Sequence, residues 1–492
     1  MTQHDKPALS AAAIRSIVIG LMLIILLGAL DQTIVSVSLP QMAHDLGGVS
    51  LLAWVVSGYL VASTVATPVY GKLGDLYGRR LMLSVAVTIF LLASIACAVA
   101  WSMPVLVLAR VLQGIGGGGL ISTAQAIVGE VVPLRERGRY QGYISVVYAV
   151  ASVGGPVLGG YLTHFLSWHW VFWINLPLGI AALWVSRRAL TVLPVPGIRL
   201  PIDYAGAFLL TAGLSVLLIA FTLLGHGAGL VEARTLGLLA AAVALLAVFV
   251  WHENRTAEPI MPLGLFKVKT VWIGCSILFI SFFQVVSLSV LMPYGMQTLD
   301  GIGPDAAALR LIAFSLAVPA GAFTSGRLMM HSGRYKPLQL IGTAILPLAT
   351  FVLAWLGPHA DAANGAALAF CGLSIGMTMP TSLVAVQNAV PPKNIGVATA
   401  MTALFRSMGG AIGVAILSSI LFALMPHALA GATSALGAEH GLAASGTVTA
   451  TAGAHDAAFA FRVTLLCSGL ISALAHLLAW NIPEASISSG RG

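Results

Sequence analysis

Apolar positions in this chain come in long, nearly unbroken runs. They show neither the alternation of a half-buried strand nor the one-sided stripe of a surface helix. The runs fall near residues 14–38, 51–70, 81–101, 104–126, 141–163, 168–188, 204–224, 235–252, 271–292, 306–326, 337–357, 365–386, 397–421 and 457–480. Each approaches the ~20 residues that carry a helix across ~30 Å of hydrocarbon, where a helix satisfies its own backbone polar groups. The pattern predicts an all-α polytopic membrane protein with 14 transmembrane helices. The first run is too long for the apolar stretch of a signal peptide and contains Asp31, so it is expected to persist as a helix. One segment, near 422–456 and rich in Ala, Gly, Thr and His, breaks the rhythm and is expected to form a poorly ordered external loop.

Composition agrees with the pattern. Of the 492 residues, 58% are hydrophobic and only 8% charged, with mean hydropathy +0.96. A soluble domain carries about 25% charged residues, so a soluble enzyme, a nucleic-acid binder and a disordered scaffold are excluded together. The net charge of +8 is distributed in short clusters between runs. Lys72, Arg79 and Arg80, then Arg135, Arg137 and Arg139, then Arg187, Arg188 and Arg199 fall in even-numbered connections. Arg255, Lys267 and Lys269, then Arg327, Arg334 and Lys336, then Lys393 continue the series, whereas the odd connections hold little beyond Arg234 and Arg310. With Lys6 and Arg15 on the same side, this asymmetry predicts cytoplasmic even loops and both termini cytoplasmic. It is not a nucleic-acid face. Cys97, Cys275, Cys371 and Cys467 lie singly in apolar runs, which reads as packing, with no disulfide framework or metal site.

The chain repeats itself. Gly71-Lys72-Leu73 with Gly78-Arg79 is echoed by Gly326-Arg327-Leu328 with Gly333-Arg334, and Gly154-Gly155 by Gly409-Gly410, each at an offset of 255 residues. Two six-helix bundles are expected, over 1–200 and 265–492, separated by an inserted helix pair and linker over 201–264. Parallel repeats of this kind bind substrate at their interface near the midplane.

Within the runs, ionisable residues are rare and therefore informative. Asp31 lies ~10 Å along the first helix from the run's end near Leu39, and Arg110 lies ~9 Å into the fourth from the same surface. Opposite charges at matched depth invite pairing, and a buried carboxylate is a candidate proton or substrate site. Arg406 is a further intramembrane cation, read as a support. Aligning Ser36–Pro40 with Ser289–Pro293 places Gln284 opposite Asp31, so the second half keeps hydrogen bonding at that position without charge. The glycines Gly114 and Gly116–Gly119 match GxGxxG, but no strand precedes them, and close helix packing is the better account. No GxxxxGK[ST], HExxH or Ser/His/Asp set occurs, so neither ATP hydrolysis nor catalysis is expected and no cofactor or metal is implied. Gly154, Gly155, Pro156, Gly159 and Gly160 mark a bend or tight seam in the fifth helix. Trp168, Trp170 and Trp173 read as an interfacial aromatic belt, with His164 and His169 beside them.

These motifs resemble a known family. Leu30-Asp31-Gln32-Thr33-Ile34-Val35 with Leu39-Pro40 resembles the first-helix signature of the fourteen-helix drug:proton antiporters of the major facilitator superfamily. Gly71-Lys72-Leu73-Gly74-Asp75 through Gly78-Arg79-Arg80 resembles the superfamily's loop motif, and Arg110 through Gly114 its fourth-helix proton-coupling motif. Gly154 through Gly160 is similar to the fifth-helix motif that separates exporters from importers, and Arg406 through Gly410 extends the likeness into the second half. His169 stands where the family usually has Arg, and Met330 where the first loop motif has Asp75. The resemblance implies a major-facilitator-like fold in a cytoplasmic inner membrane, with Asp31 and Arg110 coupling protons. It also implies that Asp75 and Arg79, with Gly71 and Gly78, latch a cytoplasmic gate against the start of the thirteenth helix.

The expected function is proton-driven export of amphiphilic small molecules by alternating access. Export of an endogenous lipid, siderophore or metabolite, and proton-coupled nutrient import, stand as alternatives. Gln32, Gln113, Gln125, Tyr148, Gln284 and Gln387 are candidates to line the substrate cavity. Few carboxylates lie deep in the spans, which favours a neutral, zwitterionic or monocationic lipophilic cargo. The expected partners are that cargo, protons and the lipid bilayer, with a periplasmic adaptor protein left open.

Overall fold

The computed structural model describes residues 11–48, 51–192, 203–225, 232–256, 258–357, 362–425 and 451–484. Among them are 14 helices long and apolar enough to cross a membrane. We number them α1 (Ala11–Leu46), α2 (Leu52–Tyr77), α3 (Arg79–Ala98), α4 (Met103–Val131), α5 (Leu134–Phe165), α6 (Asn175–Ala189), α7 (Tyr204–Gly225) and α8 (Ala233–Glu253). They continue with α9 (Lys269–Asp300), α10 (Ile312–Ser332), α11 (Lys336–Leu356), α12 (Ala362–Asn388), α13 (Ile395–Leu424) and α14 (Thr451–Trp480). Short helices, Trp170–Trp173 and Pro304–Arg310, lead into α6 and α10, and the first completes the sixth span, Trp170–Arg188. Lys6, Arg199 and most of the 422–456 segment lie outside the described residues.

Most helices outrun their apolar cores, because a helix that leaves hydrocarbon can continue into polar surroundings while its backbone bonds remain intact. Helix α1 passes through Pro40 and ends at Leu46, so about 22 Å of helix follows Asp31, beyond the apolar run that closes near Leu39.

Helices α1–α6 pack chiefly on one another, as do α9–α14, while α7 pairs with α8 and wedges against α2 and α13. The wedge is apolar: Leu210, Leu214 and Leu218 of α7 share a core with Val65 of α2 and with Val397 and Met401 of α13. Contacts between the two bundles run through α5 on α10 and α2 on α13. The outward surface is studded with exposed large apolar side chains, among them Leu92, Trp184, Phe208, Leu348 and Leu477. On a soluble protein such a surface would aggregate; in lipid it is the solvated face.

The sequence echo has a conformational counterpart. Gly78 (φ +92°) makes the turn between α2 and α3, and Gly333 (φ +65°), 255 residues later, follows α10. Both φ are positive, which glycine adopts without a Cβ penalty, but with ψ +139° at Gly78 and +16° at Gly333 the two turns differ.

Candidate functional site

The most polar buried point in the first bundle is centred on Asp31. Its surroundings are set by how closely the helices approach. Gly114 of α4 has no room for a Cβ, which would lie 3.0 Å from the Tyr59 Cα, so α4 lies directly on α2. That contact carries Arg110 under the α2 backbone, where its Nε donates to the Val55 carbonyl (3.2 Å) and its guanidinium lies 4.2 Å over the Tyr59 ring. Helix α6 is anchored by Trp168, fully buried in the turn before it, whose Nε1 donates to Asp45 Oδ2 (3.0 Å). Trp168 is therefore a core anchor rather than part of an interfacial belt; Trp170 remains exposed. His169, where the family usually has Arg, stacks on the Trp168 ring.

The carboxylate and guanidinium are 0% and 1% exposed, and Arg110 Nη1 donates to Asp31 Oδ2 at 2.6 Å. Asp31 Oδ1 accepts from Gln113 Nε2 and Asn175 Nδ2, both at 2.9 Å. Gln113 Oε1 accepts in turn from Arg110 Nη1 (2.8 Å) and the Cys97 thiol (3.4 Å). Asn175 also donates to Ser94 Oγ (3.1 Å), which donates to the Phe172 carbonyl (2.9 Å). A buried ion pair offsets its desolvation only when its remaining lone pairs and protons are satisfied, and this network, joining α1, α3, α4 and α6, provides that. Ser94 carries no signal in the sequence; Asn175 does, as a lone amide in the apolar run 168–188, in the element with His169.

The repeat uses the same position without charge. Gln284 on α9 donates to the Ser468 carbonyl and accepts from Ser468 Oγ on α14, both at 2.6 Å. The first and sixth helices of each bundle are thus tied at equivalent places, by an anion in one and an amide in the other.

The six residues expected along a substrate cavity separate. Gln113 and Gln284 are consumed by the networks above, and Gln387 is buried and donates to Thr399 Oγ1 (3.0 Å). Gln32 is half-buried on α1. Gln125 and Tyr148 line a common cavity, together with Gln141, Ser145, Thr402 and Arg406 at the bundle interface.

A second charged cluster joins the bundles at the Gly71 end. Asp75 of α2 pairs with Arg79, and its other oxygen accepts from the Val397 N–H (3.0 Å) in the first turn of α13. The residue preceding α13, Asn394, makes no side-chain cap. Asp75 therefore supplies, from the opposite bundle, the anion that the orphan N–H groups and the helix dipole favour. Arg79 also donates to the Gly71 carbonyl (3.3 Å) and lies 3.5 Å from Glu130, while Lys72 pairs with Glu258 (3.0 Å). Gly71 lets α2 touch α13: a Cβ there would meet that of Ala400 at 2.5 Å. The repeat places Gly326 of α10 where Gly71 stands, and it packs on the Gly138 backbone of α5; the charges beside it are cations, with Arg327 4.7 Å over the Phe323 ring.

The glycines of the fifth-helix motif do unequal work. A Cβ on Gly159 would lie 2.5 Å from the Ile34 carbonyl, and one on Gly155 would clash with Thr33, so these two seat α5 on α1 beside Asp31. Gly154 meets nothing within 4 Å, and Gly160 only Val37 at 3.8 Å. We expect Gly155→Ala and Gly159→Ala each to lower stability by about 1–3 kcal/mol through overpacking. Gly154→Ala and Gly160→Ala should be near neutral. Melting curves of the four purified variants in detergent decide this; equal behaviour of all four would contradict the seam.

Fourteen apolar helices in a shell of lipid-facing side chains, with an ion pair sealed inside the first bundle, define a multi-pass membrane protein. The chain belongs to the Major Facilitator Superfamily, whose match covers residues 21–414; its members are transporters, not enzymes. The chain is 34% identical over 430 residues to an uncharacterized MFS-type transporter of Mycobacterium tuberculosis, covering 87% of this chain and 62% of that protein. It therefore spans less than two thirds of that relative's length. It is 32% identical over 406 residues to the multidrug transporter protein MdtP of Bacillus subtilis, covering 82% of this chain and 75% of that one. The fold is similar to that of the proton:xylose symporter XylE, with TM-score 0.65, 17% identity, and 98% of each chain covered.

Proposed function

We propose that this protein exports amphiphilic small molecules across the cytoplasmic membrane in exchange for protons, with Asp31 as the exchangeable proton site. The observation that carries the reading is the Asp31–Arg110 pair at 2.6 Å, sealed from solvent and tied to four helices. Protonation removes the anion to which Arg110, Gln113 and Asn175 donate, so it reweights the packing of α1 against α4 and α6. A ligand or proton moves a two-state equilibrium only through such differential interaction. The basic loops at the Gly71 end make that end cytoplasmic by the positive-inside bias. In this reading the Asp75–Val397 latch holds the cytoplasmic side shut while ionised Asp31 awaits a proton from outside. The name of MdtP supports a multidrug cargo.

The driving force is bounded. One charge crossing 100 mV is worth about 2.3 kcal/mol, and one pH unit about 1.4 kcal/mol. One proton therefore sustains a gradient of a few hundredfold for a neutral cargo.

The test is efflux of the neutral dye Nile red from cells expressing the protein, with and without a protonophore, beside Asp31→Asn. Efflux is expected to stop in both cases, with protein level and dye binding retained. Efflux indifferent to the protonophore and to the substitution would overturn the reading.

A further inference from the structure

The cavity between the bundles is polar on one side and carries an unbalanced charge. Its polar lining is Gln125 of α4, Gln141, Ser145 and Tyr148 of α5, and Thr402 and Arg406 of α13, with apolar walls from α9 and α12. Arg406 stands about 16 Å along α13 from Ile395, hence near the middle of ~30 Å of hydrocarbon. A cation at that depth normally finds an anion. Arg110 has Asp31, and Arg79 has Asp75 and Glu130. No carboxylate lies within 4 Å of the Arg406 guanidinium among the described residues; it lies 5.0 Å over the Phe282 ring and beside the Tyr148 hydroxyl.

The neighbouring groups lean the same way. Gln141 is buried and its amide Nε2 has no hydrogen-bond partner, a costly state for a donor removed from water. A guanidinium and an amide NH2 can only donate, and no carboxylate lines the cavity. What this surface lacks is an acceptor with negative charge. The space as it stands is about 30 Å³, room for water rather than a cargo, so a ligand's charged head seats here only as the bundles part.

We propose that the cavity is an anion site: it takes an amphiphilic organic anion whose carboxylate, sulfonate or phosphate docks on Arg406 with Gln141 donating alongside. This adds an anionic class to the cargo that the sequence alone left neutral, zwitterionic or monocationic. It rests on the export reading for the direction of travel but not for binding. It also changes the electrical balance of that reading. Exporting a monoanion against one proton moves two positive charges inward per cycle, whereas a neutral cargo moves one and a monocation none.

The test is equilibrium binding to the full-length protein in nanodiscs, with no gradient present, using the anionic xanthene dye fluorescein and its cationic relative rhodamine 123. Fluorescein is expected to bind about tenfold tighter or better, and Arg406→Gln to remove that preference while leaving rhodamine 123 within about twofold. Arg406→Lys should restore most of it. Absence of an anion preference in the parent, binding of neither dye included, overturns the site, as does equal loss of both dyes in a folded Arg406→Gln. Should that variant not fold, Gln141→Leu substitutes, with selective loss of fluorescein expected and equal loss overturning. An intact charge preference in a protein whose efflux ignores protonophores would sink proton coupling and spare the anion site; the opposite pair of results would do the reverse.

Discussion

Arg110→Leu is expected to be the most damaging single substitution in the first bundle. It leaves the Asp31 carboxylate fully buried with only the Gln113 and Asn175 amides donating to it. Breaking a buried pair by removing one partner costs about 3–5 kcal/mol, because the remaining charge is uncompensated. Asp31→Asn strands Arg110 instead, but retains an acceptor of the same size, and Arg110 still has the Val55 carbonyl and the Tyr59 ring; its cost should be smaller. The double variant Asp31→Asn/Arg110→Leu carries neither charge and should recover most of the lost stability. Replacing a whole buried pair by neutral groups is often harmless. Unfolding of the purified proteins in mixed detergent measures all four species. A double variant as unstable as Arg110→Leu would refute the uncompensated-charge account. All three variants are nevertheless expected to lose protonophore-sensitive efflux, since none retains both the proton site and its counter-ion.

The second large effect is expected at the Gly71 end, and it is conformational. Asp75→Ala removes an ion pair and the carboxylate that accepts from the Val397 N–H in the first turn of α13. Charge-assisted hydrogen bonds contribute about 1.5–3 kcal/mol, so the population with this end open should rise roughly 10- to 100-fold. Gly71→Ala attacks the same seam sterically, since its methyl would sit 2.5 Å from the Ala400 Cβ. A cysteine at Ala400, buried beneath the latch, reports opening through its rate of labelling by a membrane-impermeant maleimide. Faster labelling is expected in both backgrounds, and unchanged rates in both would show that the latch does not hold this end. Met330, which replaces Asp75 in the repeat, predicts the converse: Met330→Ala should change that rate little.

Much of the architecture was legible along the chain for a local reason. Whether twenty consecutive residues prefer hydrocarbon depends on those residues alone, and the loop charges flanking them are equally local. Asp31 and Arg110 stood out because charge inside an apolar run is rare. The 255-residue offset exposed the duplicated design, down to positive φ at both Gly78 and Gly333. The misplacements share a different cause. Gln113 and Gln284 look identical in sequence to cavity-lining amides, yet each spends its hydrogen bonds inside a bundle. Trp168 looks like an interfacial tryptophan until its indole is found buried against Asp45.

The amino-acid order by itself therefore determined which segments can cross a membrane, and that one acid and two bases, Asp31, Arg110 and Arg406, are out of place in lipid. Only the tertiary structure decided who meets whom. It brought Asn175 to Asp31 across 144 residues and Asp75 to Val397 across 322, and it left Arg406 facing a cavity with no carboxylate. Hydrophobic transfer acts on each segment separately, whereas a hydrogen bond or ion pair requires two atoms within about 3 Å. That proximity is set by which helices can approach closely enough to touch.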